Sequence, residues 1–524
     1  MPVNTNLVQF LMSSIEKNSH KVYLQFEEQR ITYGELSNRI GKAAAGLYEL
    51  GVRQHDKVCI MLHNSPEYLD VWFALSFLGA VAVPLNVHLK GEGLQYIINH
   101  SDCKLLIADD DFLSNILPCL SSIQRDITLV VHGNQEGNHE RVQLQEVLNN
   151  NIMYTPTDTI SPTSINSILY TSGTTGLPKG VMLSHTGYIH SAQAFADDMI
   201  RARPDDVLFT MLPLFHINAQ AHTVLGAIHA GATIALSKRF SASRFWDEIR
   251  DHEATIFNSL GSMIPILCKQ PEKENDSQNP TRLTACAATP KEFWQQFEQR
   301  FGVQIVEGYG LTETTGFCVA NPLHKNRPPS IGVSYPYVET KIIDDKGEEL
   351  PVGEVGEIIM CSLKPNTFME GYYKMPDQTE EATRNGWFHT GDRGYQDKDG
   401  YVYFCDRMKQ CIRRRGENIS SWEIEKVVDQ HPKVLESAAV GVPSEIGEED
   451  VKLYVVLKQD EVMAHEEVLD WCQEHMAYFM VPRYVEFIDE FPKTATERIQ
   501  KFKLKEVGIN NAWDREKEGY IINK

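Results

Sequence analysis

One stretch constrains this chain more than any other: Tyr170-Thr171-Ser172-Gly173-Thr174-Thr175-Gly176-Leu177-Pro178-Lys179-Gly180. Ser167-Ile168-Leu169-Tyr170 ahead of it reads as a short apolar strand, and Val181-Met182-Leu183-Ser184-His185 behind it returns to order. Between them lie three glycines, four hydroxyl side chains and one lysine. Small residues let backbone N–H groups turn inward on an anion, hydroxyls add donors, and the lysine brings a point charge. The composition is that of a triphosphate cradle. It is not a Walker A loop, because Pro178 stands where G-x-x-x-x-G-K-[ST] wants its second glycine. Taken alone, a Gly/Ser/Thr cluster also fits a plain flexible loop.

The 524 residues amount to about three average domains, ample for buried cores. A formal net charge of −21 argues against a nucleic-acid-binding body and against adsorption to anionic membranes. A local basic pocket for nucleotide phosphates stays compatible with it. Ten cysteines run from Cys59 to Cys472 without a C-x-x-C pair; Cys405 and Cys411 are the closest and match no metal spacing. Reduced thiols in a cytoplasmic protein are the expectation. Residues 1–17 hold no basic n-region and no compact apolar core, so no signal peptide is read there. The longest uncharged run, 71–89, is broken by Gly79 and followed by Pro84, Asn86 and His88. It predicts a buried helix over 68–78 leading into a buried strand over 80–85, not a membrane insertion.

Residues 1–150 alternate helical and short apolar segments. Thr32 with Glu35 three residues on forms a capping box that opens a helix. Strands are predicted at 57–62, 104–108 and 127–131, with a helix at 91–99. Beyond the loop the alternation continues: helices near 187–200, 220–230 and 241–252, strands at 207–211, 233–236 and 255–258. Strands spaced by helices imply parallel sheets with crossover connections. Residues 270–281 read as an exposed excursion. From about Gly332 the texture changes to short β-type runs (340–343, 356–360, 400–404) separated by Gly, Pro and Asp turns, which predicts an antiparallel, barrel-like subdomain. After a basic segment, Arg407 to Arg415, the chain resumes as a small α+β unit with helices at 421–431 and 466–476 and strands at 435–442, 451–457 and 484–487. The expected fold is thus α/β. A large N-terminal domain, 1–405, holds two parallel α/β layers plus the barrel-like piece, and a small mobile α+β domain, 406–524, closes over it.

Four further stretches carry chemistry. Glu307-Gly308-Tyr309-Gly310-Leu311-Thr312-Glu313 reads as a loop after a strand predicted at 304–306 and sets an aromatic ring between glycines, able to lie flat on a purine, with a carboxylate able to hold Mg²⁺. Thr390-Gly391-Asp392 reads as a tight turn whose carboxylate accepts from ribose hydroxyls. Asp406-Arg407-Met408-Lys409-Gln410 precedes Arg413-Arg414-Arg415-Gly416-Glu417-Asn418-Ile419-Ser420. Phe491-Pro492-Lys493-Thr494-Ala495-Thr496-Glu497-Arg498-Ile499-Gln500-Lys501 lies near the end.

In this order and spacing these motifs resemble the acyl-adenylate-forming superfamily of acyl-CoA synthetases, luciferases and peptide-synthetase adenylation domains. The likeness spans nearly the whole chain, from Thr32-Tyr33-Gly34-Glu35-Leu36 to Lys501. Arg414-Arg415-Gly416-Glu417-Asn418-Ile419-Ser420 and Val481-Pro482-Arg483-Tyr484 look most like the CoA-ligase branch, close to crotonobetaine/carnitine–CoA ligases. The resemblance implies two steps: acid plus ATP gives acyl-AMP and pyrophosphate, then acyl-AMP plus CoA gives acyl-CoA and AMP. Thr171, Ser172, Gly173, Thr174, Thr175, Gly176 and Lys179 would hold the β- and γ-phosphates. Thr312 would touch the α-phosphate, and Glu313 would bind the metal, Mg²⁺. Gly308 and Tyr309 would frame the adenine, with Ala287 and Ala288 on its other side, where the family has a glycine-containing form. Asp392 and Arg407 would bind ribose. Lys409 matches the hinge about which the small domain turns. Gly416, Glu417 and Asn418 would line the pantetheine channel, and His216 would stand beside the acyl carboxylate. The implied partners are ATP, CoA and a small-molecule carboxylic acid, with no nucleic acid and no stable membrane insertion; a homodimer is compatible with the sequence.

Adenylation brings two anions together, so cations and positioning suffice without a protein nucleophile. That fits a chain lacking any Ser/His/Asp or Cys/His arrangement. Two positions depart from the family pattern. Glu497-Arg498 replaces the family's Gly-Lys, whose lysine bridges carboxylate and α-phosphate. Arginine keeps the charge with a different, planar geometry. Arg498 in the lysine's role, Lys501 or Lys493 reaching in, and a nucleotide- or acyl-binding pseudoenzyme are the three readings. Ser421 stands where many relatives have proline, with little consequence expected. An acceptor other than CoA, a carrier-protein thiol, stays open.

Overall fold

The structure, a computed structural model, describes residues 5–133, 141–156, 159–171, 177–407, 411–492 and 499–522. The side chains of Asp406, Arg407, Cys411 and Asn418 lie outside that description.

Two large sheets make the N-terminal body. The first has nine strands, in spatial order Val333–Ser334, Gly316–Ala320, Gln304–Leu311, Leu283–Ala287, Ile256–Leu260, Val207–Thr210, Thr233–Leu236, Val22–Phe26 and Gln29–Thr32. Its centre is parallel, as the alternation predicted. Its two margins are antiparallel hairpins. The second has seven strands, parallel from Val142–Gln143 through Ile165–Thr171 and closed by the antiparallel Lys179–Ser184. The cradle loop therefore joins two strands of one hairpin, with Thr171 paired to Lys179. The expected barrel-like piece is a four-stranded antiparallel sheet, Val338–Ile343, Gly356–Ser362, Phe388–Gln396 and Val402–Arg407.

Local chemistry explains the individual elements. Thr32 accepts from Glu35 N–H while the Glu35 carboxylate accepts from Thr32 N–H, the predicted capping box, and helix Tyr33–Glu49 follows. The uncharged run forms helix Pro66–Leu78, capped by Ser65 and ended by Gly79 at φ +65°, then strand Val81–Pro84. Every residue of that helix except Glu67 is buried, so its apolar length reflects the core. Among the described residues no helix is long and apolar enough to cross a membrane. The helices expected near 187–200 and 220–230 each contain a π-helical segment, Ala194–Met199 and Asn218–Val224. Such wide turns leave backbone groups free and gather at functional sites.

The small C-terminal domain holds the hairpin Cys411–Arg414/Glu417–Ser420, the sheet Val434–Pro443, Glu449–Leu457, Tyr484–Phe487 and Trp513–Asp514, and helices Ser421–Val428 and His465–His475. Its apolar clusters draw on residues from Ile412 onward, while those of the large body end at Val402. Arg414 anchors the hairpin: it is buried, pairs with Asp450 at 3.1 Å and donates to the Phe479 and Val481 carbonyls.

Candidate active site

Strand order in the nine-stranded sheet reverses around Val207–Thr210, which lies between Ile256–Leu260 and Thr233–Leu236. Ligands of α/β folds sit beyond the carboxyl ends of strands at such a reversal. His216 stands beyond such an end, and contacts draw the other sequence-predicted residues that the structure describes into two groups.

On one side, strand Gln304–Leu311 carries the buried Gly308 and the half-buried Tyr309, so these residues belong to a strand rather than to a loop. The Tyr309 hydroxyl donates to Asp392 Oδ2 at 2.6 Å. Asp392 is likewise a strand residue, in Phe388–Gln396 and not in a free turn, and its backbone pairs with that of Arg407. The adenine and ribose candidates thus meet directly. Thr312 and Glu313 occupy the tight turn between Gln304–Leu311 and Gly316–Ala320, held by Leu311 N–H donating to Thr314 Oγ1 at 2.8 Å.

Two residues given no role from sequence complete this side. Tyr372 donates its hydroxyl to Glu313 Oε1 at 3.0 Å, and Lys179 Nζ lies 4.7 Å from the centre of its ring. One phenol therefore spans the lysine of the cradle and the carboxylate that is the candidate cation ligand. Backbone bonds fix it: Tyr373 N–H donates to Gly180, Met182 N–H to Gly371 and Glu370 N–H to Met182. Burial, then the Glu313 carboxylate, drives the Tyr372 hydroxyl pKa far up, so it remains a donor. The second residue is Glu307. Its carboxylate accepts from Ala288 N–H at 2.6 Å and from both the N–H and the hydroxyl of Thr289. Burial pushes its pKa up to about 7, against the pull of those donors. It holds Ala288 at φ +63°, a left-handed conformation costly for a residue with a Cβ. The opposing Gly261 is needed for this approach, since a Cβ there would sit 1.7 Å from the Ala288 carbonyl oxygen. A lone acid inside the otherwise apolar 305–308 run was the available sequence signal for Glu307. Tyr372 offered none beyond its place after a glycine.

On the other side stands His216, half-buried, just past the strand Val207–Thr210. Its Nε2 lies 3.2 Å from Glu417 Oε1, which also accepts from Asn86 Nδ2 at 3.2 Å. Burial alone would raise the Glu417 pKa, but His216, His88 and Asn86 outweigh it and hold the carboxyl below its ordinary value. The Arg415–Gly416 turn that presents Glu417 has φ of +52° and +84°, the primed geometry that tight hairpins prefer. A Cβ on Gly416 would stand 2.3 Å from Leu260 Cδ1. His88, its pKa lowered to about 4 by burial, stacks edge-on against Tyr478 at 4.6 Å. Asn86, His88 and Leu260 thus face the C-terminal domain, a role sequence spacing could not suggest.

Ser172, Gly173, Thr174, Thr175 and Gly176, Lys409, Lys493 and Arg498 lie outside the described residues. Asn418 is placed in strand Glu417–Ser420 by its backbone alone. Lys501 is described, and it is committed elsewhere: Nζ bonds Glu425 Oε1 at 2.5 Å and Ser421 Oγ at 2.8 Å. The serine at the family's proline position is thus a partner of Lys501. A separate cavity of about 780 Å³, lined by Asn6, Gln9, His190 and Lys364 among others, shares none of these residues.

Comparison with known proteins gives the family. Residues 11–373 match the AMP-binding enzyme family, and residues 423–498 match the AMP-binding enzyme C-terminal domain. The chain belongs to the AMP-binding enzymes. It is 36% identical over 490 residues to the crotonobetaine/carnitine–CoA ligase of Salmonella agona, covering 91% of this chain and 93% of that one. The Salmonella typhi enzyme of the same name is 36% identical over 493 residues, with the same coverage. Among solved structures, a double mutant of o-succinylbenzoate CoA synthetase (MenE) from Bacillus subtilis, bound to its product analogue OSB-NCoA, superposes with a TM-score of 0.84. Identity is 25%, over 96% of this chain and 99% of that one. The amide bond synthetase McbA from Marinactinospora thermotolerans also reaches 0.84, at 23% identity over 96% and 99%, and attests the fold alone. The family member described here is an acid–thiol ligase of the AMP-forming, acyl-CoA synthetase branch.

Proposed function

We propose that the protein converts a small carboxylic acid, ATP and CoA into acyl-CoA, AMP and pyrophosphate. The observation that carries this reading is the hairpin turn at Gly416–Glu417 inserted against His216 and Leu260. It supports a thiol entry opposite a nucleotide site made by Tyr309, Asp392, Lys179 and Glu313.

In the first half-reaction the acid's carboxylate attacks the α-phosphorus. Lys179, with Thr171 and the loop 172–176, orients the β- and γ-phosphates and offsets their charge. Thr312 donates to the α-phosphate. Tyr309 stacks on adenine, Asp392 and Arg407 accept and donate at the ribose, and Ala288 closes the other face of the base. Glu313 offers the hard oxygen donor that Mg²⁺ takes, and the bound ion would neutralise phosphate charge. Arg498 is assigned the bridging role of the family lysine. Lys501, tied to Glu425 and Ser421, favours that assignment over its own. In the second half-reaction the small domain, about 406–524, presents Gly416, Glu417 and Asn418 along the pantetheine path after turning about Lys409. The free thiols of the buried Cys59, Cys103, Cys119, Cys268, Cys286, Cys318 and Cys472 suit a reducing, cytoplasmic setting. Carnitine, crotonobetaine and fatty acids are the first acids to try.

Product analysis with ATP, Mg²⁺ and an acid panel, with and without CoA, tests the reading. AMP and pyrophosphate released with one class of acid and dependent on CoA is the expected result. Turnover only with a carrier-protein thiol, or ATP binding without AMP from any acid, would replace it with the carrier or pseudoenzyme reading. Arg498→Ala is expected to slow acyl-AMP formation at least tenfold (about 1.4 kcal/mol) while sparing thioester formation from supplied acyl-AMP.

A further inference from the structure

Below the point where the hairpin meets the large domain lies an unfinished hydrogen bond. Alternate side chains of a strand share one face. In Ile256–Leu260, Asn258 therefore projects on the side of Leu260, the residue against the Gly416 turn. The separation along the strand is two residues, roughly 7 Å. Asn258 is 1% exposed, and its Nδ2 donates to Asn218 Oδ1 at 2.7 Å. Its own Oδ1, shut off from solvent, has no partner. Asn218 follows His216 by two residues and keeps part of its surface open. Asn258 thus stands one step deeper than the thiol entry, on the strand paired with Val207–Thr210 at which the sheet order reverses, and Asn218 on the π-helical segment Asn218–Val224. Turning both amides over preserves the mutual bond and leaves an NH₂ in place of the unpaired oxygen. Either way a buried amide atom awaits a complement, and a hydroxyl, both donor and acceptor, satisfies both orientations.

We propose that the acyl pocket selects a carboxylic acid that bears a neutral hydrogen-bonding group, such as a hydroxyl, a few atoms from its carboxylate and carries no cationic group. This rests on the ligase reading above and names its substrate class. A plain alkyl acid leaves the amide unpaired against hydrocarbon. A quaternary ammonium finds no charge in two amides, and Glu417, the carboxylate at the cleft, is already shared by His216 and Asn86.

The test is CoA-dependent AMP release with matched acids: butyrate against 3- and 4-hydroxybutyrate, hexanoate against 6-hydroxyhexanoate, and carnitine and γ-butyrobetaine. For at least one pair kcat/KM is expected to favour the hydroxy acid by about a hundredfold, with both betaines behind it. Asn258→Leu should close that gap by lowering the hydroxy acid and raising the alkyl acid, and Asn258→Asp should bring carnitine forward. Alkyl acids equal to or better than their hydroxy partners, or a betaine used best, would overturn the inference and leave the ligase standing. The wild-type panel decides this even if a variant fails to fold. No AMP from any acid, with ATP still bound, would instead sink the ligase reading and this inference with it.

Discussion

On the proposed nucleotide side of the cleft, Glu307 grips Ala288 and Thr289, Tyr309 meets Asp392, and Tyr372 joins Lys179 to Glu313, each through groups of the large domain. On the proposed thiol side, Glu417 meets His216 and Asn86, Gly416 meets Leu260, and Lys426 pairs with Glu92, each across two domains. The first set is held by strand pairing and buried carboxylates, so it persists whatever the small domain does. The second is a few hydrogen bonds, the packing of Gly416 on Leu260 and of His88 on Tyr478, and an exposed ion pair, an interface weak enough to part. Preorganised charge suits phosphoryl chemistry, while a separable interface suits a domain that serves two steps in turn.

The largest effect is expected where the nucleotide side is anionic. Glu313→Gln should cut acyl-AMP formation by about a hundredfold or more, in the range of a lost electrostatic stabiliser, as measured by pyrophosphate release. Thioester formation from supplied acyl-AMP should change far less; equal losses would erase the distinction between the sides. Gly416→Ala sharpens it from the other direction. The added methyl meets Leu260 and a φ of +84° that alanine resists. The thioester step should slow about tenfold (about 1.4 kcal/mol) with adenylation within about twofold.

Glu307→Gln should raise KM for ATP about tenfold, since an amide brings an NH₂ against donors that need an acceptor. Its pH behaviour has a definite sign. The folded pKa, about 7, lies above the ordinary 4.5 because of burial, so ionisation opposes the fold. The stability involved is whole below pH 4.5 and is lost as pH rises through about 7. A Tm comparison at the two ends should show the wild-type slope flattened in the Gln variant. The smallest effect belongs to Lys426→Ala. With Lys426 and Glu92 41% and 58% exposed, such a pair contributes about 0–1 kcal/mol, so both half-reactions should stay within about twofold. A large loss in the thioester step alone would mean that the interface is tighter than its contacts suggest.

Much of the architecture was legible as pattern. The parallel centres of both sheets follow from alternating apolar runs and amphipathic segments, and Thr32 with Glu35 announced the first long helix. Element ends were less legible: Tyr309 and Asp392 looked like loop and turn residues, because glycines signal turns locally. Sheet pairing drew both into strands instead. The π-helical turns at 194–199 and 218–224 left no trace in periodicity, being set by packing around them.

The chain's own order of residues determined the chemistry available: a lysine and hydroxyls on a glycine-rich loop, an acid after a threonine, an aspartate after a glycine. It also determined the family, since those motifs recur at the right separations. Only the tertiary structure decided that Tyr372 would bridge Lys179 and Glu313, that Glu307 would hold Ala288 in its left-handed turn, and that Glu417 would face His216. Positions separated by dozens to hundreds of residues become neighbours through sheet order and domain docking. Those are global minima of packing and burial, which no local run of side chains encodes by itself.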